Sequence, residues 1–334
     1  FHAPLHLRLG VPGERIMQVH TRMGYAHRGL CARMRGNTLA GGTGLVARID
    51  ATATVAHQLA LARAVAAAGG TADGQPLSAI FPAELERVAT HLDMLGQMAD
   101  LLADGRFATL AATRLARVRQ ACHALYGHRL LFDVFLRTPR ASAARVIPAG
   151  VMDDLHAGCL TLKRLFWRPR GLATQLLGRG VLTADAARHW GIAGCAGRAS
   201  GIEADLRRDG PGYAPGWLTP PPRSGGDMTA RLAARLHELG ESVTILSTLD
   251  AVTEFPQYPA PDGMTGEGLG LAEGPAGPVW HWVRVENGRI AAWWCGDPSP
   301  GHIQALPTIL SGAMYEDVDP VLISLGLSAA GADL

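Results

Sequence analysis

The sequence predicts an α+β fold that is mainly helical, with a central bundle of long helices and small β elements at the N- and C-terminal ends. Long segments repeat apolar residues at steps of three and four, the spacing of one helical face. Short segments near both ends alternate apolar and polar residues between Gly and Pro, as strands and tight turns do. With 334 residues, of which 48% are hydrophobic, the chain can bury the core that such a bundle needs.

The first predicted elements are strands within residues 5–19, joined by a turn around Pro12-Gly13. Four long helices follow. The first covers 51–68 and stops at Gly69-Gly70, and the second covers 82–102 with Pro in its first turn. The third covers 108–135, either unbroken or interrupted at Gly127, and the fourth covers 151–166. Apolar faces on four such helices predict a bundle that buries them.

The second half begins with a short helix capped by Thr183, followed by an irregular connection over 209–226, where Gly and Pro are frequent. A fifth helix covers 227–246, with Asp227 where the helix dipole favours a negative charge. Residues 254–279 are predicted to be loop-like, and 279–294 to form a hairpin around Asn287-Gly288. We therefore expect one domain over 1–334: an N-terminal hairpin and loop (1–45), a helical bundle (46–250) and a C-terminal loop and β region (251–334).

Composition excludes several classes of protein. A formal net charge of +2 does not favour a nucleic-acid partner. The sequence contains no run of 18 apolar residues, so it predicts no membrane-spanning helix. Five scattered cysteines without a CxxC pair are typical of reduced thiols in a cytoplasmic protein. The first residue is Phe rather than Met, which is compatible with a longer gene product carrying a further N-terminal module.

Two short segments near the start carry candidate site residues. Gly-Tyr-Ala-His-Arg-Gly over 24–29 contains His27 and Arg28, and by itself it could be an ordinary loop with a basic pair. Arg48-Ile49-Asp50 stands at the head of the first long helix, where Asp could simply cap the helix.

Three further groups of charged residues follow along the chain. Glu84, Arg87 and His91 are spaced so that they share one helical face, and a surface stripe of salt bridges is the usual explanation. If that face is buried, each charge needs a partner to offset its desolvation. Residues 198–208 are rich in charge, which usually indicates a solvated face. The last group, on one side of the fifth helix, is Arg231, Arg235 and Glu238.

In order and spacing, these segments resemble one large-subunit family. Its members include the large subunits of membrane-bound (group 4) nickel-iron hydrogenases and the 49-kDa subunit of complex I, which is also called the NADH-quinone oxidoreductase D subunit. Residues 180–208 are the most specific part and are similar to the family pattern ending R-[GA]-S-G-[IV]-x-x-D-[LVI]-R-K. Residues 24–29 are similar to its G-[YL]-x-H-R-G loop, and 84–91 to its E-[LI]-x-R-[IL]-x-x-H helix. Similar matches cover 145–151, 225–239 and 273–277, so the resemblance extends over the whole chain.

The departures from the family concern its metal site. Hydrogenases hold nickel and iron with four thiolates, because soft sulfur ligands suit these metals. Aligned through Arg48 and Ile323-Ser324, the four ligand positions of this chain are Asp50, Ala53, Ser328 and Gly331. The resemblance therefore predicts a degenerate site that binds no metal, and a chain that is not a functional nickel-iron hydrogenase.

In complex I the corresponding cavity receives the quinone headgroup, and a histidine and a tyrosine act on the quinone. His2, which lies 26 positions before Arg28, stands at the histidine position, so the resemblance makes His2 and Asp50 the candidate catalytic residues. Ala51 replaces the tyrosine and cannot donate a proton. Asp100 lies one residue before the position of a helix Asp said to pair with the histidine, and Cys31 replaces a glutamate.

The resemblance implies a subunit of a membrane-bound, complex-I-like oxidoreductase, peripheral on the cytoplasmic face of a bacterial membrane. It implies no cofactor bound by this chain, an iron-sulfur cluster in a partner subunit, and a bound quinone. The implied partners are a B-like iron-sulfur small subunit, a C-like 30-kDa module and membrane ion-translocating subunits. Substrate or cluster-interface roles fall to His27, Arg28, Arg48, Glu84, Arg87, His91, Arg198, Asp205 and Arg207. The alternative is a catalytically silent scaffold that couples to an ion- or CO₂-handling membrane partner.

Overall fold

A computed structural model of the chain describes residues 4–25, 27–70, 77–135, 147–210, 212–221, 225–249 and 263–334. His2, one of the two predicted catalytic residues, lies outside these residues. Over the described ranges, no helix combines the length and the apolar character that crossing a membrane requires.

The N-terminal part is a hairpin followed by two short helices. Strand β1 (His6–Gly10) pairs antiparallel with β2 (Gln18–Arg22), as predicted, and Gly13 takes a left-handed conformation in the turn. The predicted loop that follows contains α1 (Leu30–Met34) and α2 (Leu39–Val46) instead. Helices of five and eight residues are too short to show a clear apolar period, which is why the sequence pattern missed them.

The four long helices are present as predicted, except that the second begins at Leu77, so that Pro82 lies inside the helix rather than in its first turn. They are α3 (Thr54–Ala68), α4 (Leu77–Leu101), α5 (Gly105–Tyr126) and α6 (Val151–Trp167). Gly127 ends α5 in a left-handed conformation, which confirms the interrupted version of the third predicted helix. Four short helices follow: α7 (Leu172–Leu176), α8 (Ala184–His189), α9 (Gly194–Ala199) and α10 (Leu206–Asp209).

Helix α11 (Met228–Thr248) completes the bundle and is buried along most of its length. It packs against α4 and α6, while α5 packs against both α4 and α6. The predicted cap is confirmed, because the side chain of Thr183 accepts the N–H of Ala186. Asp227, predicted inside the first turn of the fifth helix, instead precedes α11 and caps it by accepting the N–H of Ala230. The apolar core therefore lies between these helices, and α4 and α11 pass through its centre.

A three-stranded antiparallel sheet lies beside α3 and has the order β3 (Gly266–Glu273), β4 (Pro278–Glu286), β5 (Arg289–Gly296). The predicted hairpin over β4 and β5 is confirmed, and Asn287 and Gly288 both have positive φ in its turn. The prediction of a loop over 254–279 is wrong for the residues of β3, while residues 254–262 lie outside the described residues.

Strand β3 was missed because its glycines are typical of loops. Here they permit close packing of the strand on α3. A Cβ added to any of three of them would stand less than 3.0 Å from a backbone carbonyl oxygen of α3: Gly266 over Ala68, Gly268 over Ala64 and Gly270 over Ala60.

The C-terminal part is more helical than predicted. It contains α12 (Ser299–Leu310), a 3₁₀ turn (Tyr315–Asp317), α13 (Val318–Leu325) and α14 (Ala329–Ala332). Pro300 and Gly301 lie in the first turn of α12, where Pro and Gly are tolerated. The mainly helical α+β class is confirmed, whereas the assignment of one domain stays a prediction.

Candidate functional site

Glu238 lies at the centre of a buried group of charged side chains. We call this group the Glu238 cluster, and its members are Glu84, Arg87, His91, Arg198, Asp205, Arg207, Glu238 and Glu273. None of these side chains belongs to a residue more than 9% exposed. The interpretations of 84–91 as a surface stripe and of 198–208 as a solvated face are therefore wrong for these members. Four helices and the end of β3 supply them, so the cluster joins distant parts of the chain.

The arginines hold the cluster together through short ion pairs. Arg198 bonds Glu238 Oε1 through Nη2 at 2.7 Å and Glu273 Oε1 through Nη1 at 2.9 Å. Arg207 forms a two-pronged pair with Asp205, with Nη2–Oδ2 and Nε–Oδ1 distances of 2.7 and 3.1 Å. These pairs supply the partners that buried charges require.

Glu84 is held from two sides by groups that the sequence did not suggest. Tyr213 Oη donates to Glu84 Oε1 at 2.6 Å, and Ser242 Oγ donates to Glu84 Oε2 at 2.5 Å. Burial by itself would raise the pKa of Glu84, but the charges of Arg87 and Arg207 outweigh it and lower that pKa. Glu84 is therefore ionised at neutral pH.

His91, Cys195 and Glu238 bring three potential metal ligands within 4.8 Å of one another. The Cys195 thiol donates to Glu238 Oε1 at 3.0 Å, and burial raises its pKa to about 12, so the thiol keeps its proton. Burial likewise lowers the pKa of His91 to about 4, which leaves a neutral ring 3.2 Å from Glu238. Because Arg198 already bonds the same carboxylate, a further cation would be repelled, and we assign these three side chains to the hydrogen-bond network.

Arg28 joins the two segments that carry the predicted ligand positions. Its Nη1 donates to the carbonyl of Arg48 at 2.7 Å, and its Nη2 donates to those of Ile49 at 2.9 Å and Ala330 at 2.7 Å. The segment with Asp50 and the segment 328–331 therefore meet at one guanidinium group, as the resemblance implied.

The donor set at this junction does not fit a nickel-iron centre. The four positions offer a carboxylate, a methyl group, a hydroxyl and a glycine, without sulfur. Asp50 Oδ1 is engaged by the N–H and hydroxyl of Thr52 at 2.8 and 2.9 Å. A Cβ added to Gly331 would stand less than 3.0 Å from the carboxylate of Asp297, so Asp297 fills the space of a side chain at position 331.

Asp297 ends a buried chain of hydrogen bonds that sequence reasoning missed. Trp293 Nε1 lies 3.0 Å from His281 Nδ1, His281 Nε2 lies 3.0 Å from His57 Nδ1, and His57 Nε2 lies 3.3 Å from Asp297 Oδ2. Burial would raise the pKa of Asp297, but the bond from His57 outweighs it and lowers that pKa. Burial and the charge of Asp297 raise the pKa of Asp50. The two carboxyl groups therefore differ, with Asp50 the one that more readily holds a proton.

Two cavities lie beside this junction. The larger, which we call the Thr52 cavity, has a volume of about 310 Å³ and lies between the start of α3, α4 and α13. The smaller, which we call the Ala51 cavity, has a volume of about 30 Å³. Both are lined by Thr52, Thr90 and Asp93.

The remaining predicted residues lie elsewhere. Arg48 makes a two-pronged pair with Asp133 at 2.7 and 2.8 Å on the surface. His27 and Asp100 are exposed, and neither lines the two cavities. Arg87 and Arg198 are enclosed by this chain, so any influence on a partner's cluster would act through the protein rather than by contact.

The chain is similar to known proteins along most of its length. A family model described as the respiratory-chain NADH dehydrogenase 49 Kd subunit matches residues 149–263. The D subunit of F(420)H(2) dehydrogenase from Methanosarcina mazei is 25% identical, over 94% of this chain and 90% of that protein. The D subunit of NADH-quinone oxidoreductase from Geotalea uraniireducens is 27% identical, over 98% of this chain and 94% of that protein.

Among solved structures, the chain resembles a chain of the membrane-bound sulfane sulfur reductase, which is described as an archaeal respiratory membrane complex. The TM-score is 0.82, with 21% identity over 98% of this chain and 94% of that chain. Together these matches confirm the fold and the resemblance that the sequence motifs predicted.

Proposed function

We propose that the chain, which is similar to the complex I 49-kDa subunit, is a subunit of a membrane-bound, complex-I-like oxidoreductase. In this proposal it is peripheral on the cytoplasmic face of a bacterial membrane and packs against a B-like iron-sulfur small subunit. Membrane ion-translocating subunits and a C-like 30-kDa module complete the assembly. Electrons from the partner's cluster pass to a quinone or another small acceptor.

The Thr52 cavity is the observation that supports this proposal most directly. Its volume of about 310 Å³ suits a small molecule, and Met94, Leu322 and Leu327 give it apolar walls. Thr52 and Asp93 add polar groups at one side, next to the degenerate ligand positions. An apolar ring with two carbonyl oxygens matches this combination.

The resemblance also implied that arginines of this chain place positive charge near the iron-sulfur cluster of the partner subunit. Positive charge close to an iron-sulfur cluster raises its reduction potential. The Glu238 cluster contains three arginines and four carboxyl groups, so with His91 neutral and every carboxyl ionised its formal charge is −1. Arg87 and Arg198 therefore supply no net positive charge, whereas Arg28 lies outside this cluster and bonds backbone carbonyls.

The proposal is tested on the assembly purified through a tag on this chain, with quinone reductase activity as the readout. Gln97 lines the Thr52 cavity, so Gln97→Trp should fill it and raise KM for a short-chain quinone at least about tenfold, the effect of losing roughly 1.4 kcal/mol of binding. Gln175→Trp is the matched control, because Gln175 is exposed on α7.

An intact assembly without quinone reductase activity would overturn the proposal. That result would favour the alternative, a silent scaffold that couples to an ion- or CO₂-handling membrane partner. Ala51, which offers no proton donor where the family has a hydroxyl, is the observation that favours this alternative. A small subunit without cluster-binding cysteines would support it further.

A further inference from the structure

We propose that Glu86 is the proton donor to an acceptor bound in the Thr52 cavity, acting through the Ala51 cavity where the chain lacks the family's hydroxyl. This inference rests on the proposed function. Glu86 lies within the charged helix segment that the resemblance covers, but at a position that the family pattern leaves open.

Glu86 points away from the Glu238 cluster. Its neighbour Arg87 bonds the cluster, whereas the side chain of Glu86 reaches the N-terminus of α3. There Oε1 accepts the N–H of Val55 at 2.6 Å and Oε2 accepts that of Ala56 at 3.1 Å. The residue is 5% exposed and makes no ion pair with any described residue. It is therefore a buried carboxyl group without a bonded counter-charge.

The Ala51 cavity borders both Glu86 and residues that line the larger space. Glu86, Ala51 and Cys122 are among its lining residues, and its volume of about 30 Å³ corresponds to one water molecule. Thr52 and Thr90 line both this cavity and the Thr52 cavity. One water in the Ala51 cavity can therefore bond the carboxyl group and carry its proton towards the acceptor.

The protonation of Glu86 suits this role. Burial raises its pKa to about 8, although the N–H groups of Val55 and Ala56 and the charge of Arg87 act in the opposite direction. The carboxyl group consequently holds a proton at neutral pH. A general acid works best when its pKa lies near the working pH.

Reduction of one quinone to the quinol takes two electrons, which the reduced iron-sulfur partner supplies one at a time, and two protons. One proton leaves the O–H of Glu86, passes through the water and forms an O–H bond on the reduced quinone. The Glu86 carboxylate that remains is held by the N–H groups at the head of α3. Solvent supplies the second proton and the proton that returns to Glu86. It reaches the Ala51 cavity where the lining residues Asp93 and Arg119 are half-buried.

The competing explanation is that Glu86 only caps α3. Asp104 provides a matched control, because its carboxylate caps α5 by accepting the N–H of Phe107 but lines neither cavity. Under the capping explanation, Glu86→Gln and Asp104→Asn should both lower stability and leave the pH profile of quinone reduction unchanged.

The test is quinone reduction by the purified assembly. We expect Glu86→Gln to lower kcat by about 10²–10⁴, the usual effect of losing a general acid, with little change in KM or in cluster reduction by the electron donor. In the wild type, kcat should fall as pH rises through about 8, because Glu86 loses its proton there, and this step should vanish in Glu86→Gln. Glu86→Asp should recover part of the rate, and Asp104→Asn should behave as wild type.

An unchanged kcat and pH profile in Glu86→Gln would overturn the inference. Difference infrared spectra provide a measurement independent of turnover and of variant folding. The wild-type assembly should show a protonated-carboxyl band that disappears as pH rises through about 8, and an ionised Glu86 at pH 6 would also overturn the inference. If the wild-type assembly reduces no quinone, the proposed function fails, whereas the infrared result still reports on Glu86.

Discussion

The indole nitrogen of Trp293 lies 3.0 Å from Nδ1 of His281, and this contact fixes where protons sit on three side chains. An indole nitrogen can only donate, so His281 Nδ1 accepts and its proton is on Nε2. His281 Nε2 then donates to His57 Nδ1, which leaves His57 Nε2 to donate to Asp297. Every bond in the chain therefore points towards Asp297 and stabilises its negative charge.

Replacing Trp293 should show how much the fold depends on this chain. Trp293→Phe leaves Nδ1 of the buried His281 without a donor, and we expect a loss of about 1–3 kcal/mol in the free energy of unfolding. Urea unfolding of the purified chain measures it. Trp294→Phe is the control, since Trp294 is 57% exposed, and equal losses for both variants would contradict the assignment.

His302 should make the fold sensitive to acid. Neither of its ring nitrogens bonds a described residue, and burial lowers its pKa from 6.5 to about 4. The unfolded chain binds this proton near pH 6.5 and the folded chain only near pH 4, so stability is present above pH 6.5 and is lost as pH falls towards 4.

We therefore expect His302→Leu to lose less stability between pH 7 and pH 4.5 than the wild type. The slope should be smaller by up to about 1.4 kcal/mol per pH unit, as measured by urea unfolding across this range. His156→Gln, at an exposed histidine, serves as the comparison. An unchanged slope in His302→Leu would show that another group controls acid unfolding.

Glu238→Gln should be strongly destabilising. The substitution keeps the shape of the side chain but removes the charge that pairs with Arg198, and removing one partner of a buried ion pair typically costs about 3–5 kcal/mol. Thermal and urea unfolding measure the change. Asp185→Asn, which breaks an exposed pair with Arg188, should cost less than about 1 kcal/mol. Similar values for the two variants would refute the importance of burial here.

Gly268→Ala should separate β3 from α3. Its Cβ would meet the carbonyl oxygen of Ala64, which belongs to the backbone and cannot swing aside, so we expect a loss of about 1–3 kcal/mol. Gly105→Ala is the control, because nothing lies within 4 Å of a Cβ at the start of α5, and it should be neutral or stabilising. Tolerance of alanine at 268 would mean that the sheet can shift outward.

Arg28→Lys should loosen the junction of the ligand-position segments. A lysine ammonium is a point donor and cannot reproduce the fork that reaches Arg48, Ile49 and Ala330. We expect a loss of about 1.5–3 kcal/mol and faster amide exchange in α14, measured by hydrogen exchange and mass spectrometry. Arg188→Lys, on the surface, should leave exchange unchanged. Protection of α14 at the wild-type level in Arg28→Lys would count against the bridging role.

The sequence allowed the long helices to be predicted because their apolar period depends on local spacing alone. It did not reveal β3, because the role of its glycines depends on close packing against α3. It did not reveal α12 either, because Pro and Gly are residues typical of loops. The Glu238 cluster was found through order and spacing, but periodicity could not show that its helical face turns inward. His57 carried no signal, because its partners His281 and Asp297 lie 224 and 240 positions away along the chain. Glu86 was not singled out, because it lies between Glu84 and Arg87, and the family pattern accounts for those two residues only.

The contact between Gly331 and Asp297 bears on how this chain could change over evolutionary time. A cysteine introduced at position 331 would collide with the Asp297 carboxylate, and replacing Asp297 first would remove the acceptor of the His57 hydrogen bond. A side chain at position 331 is therefore accommodated only together with a change at Asp297. We expect the two positions to be substituted jointly or not at all.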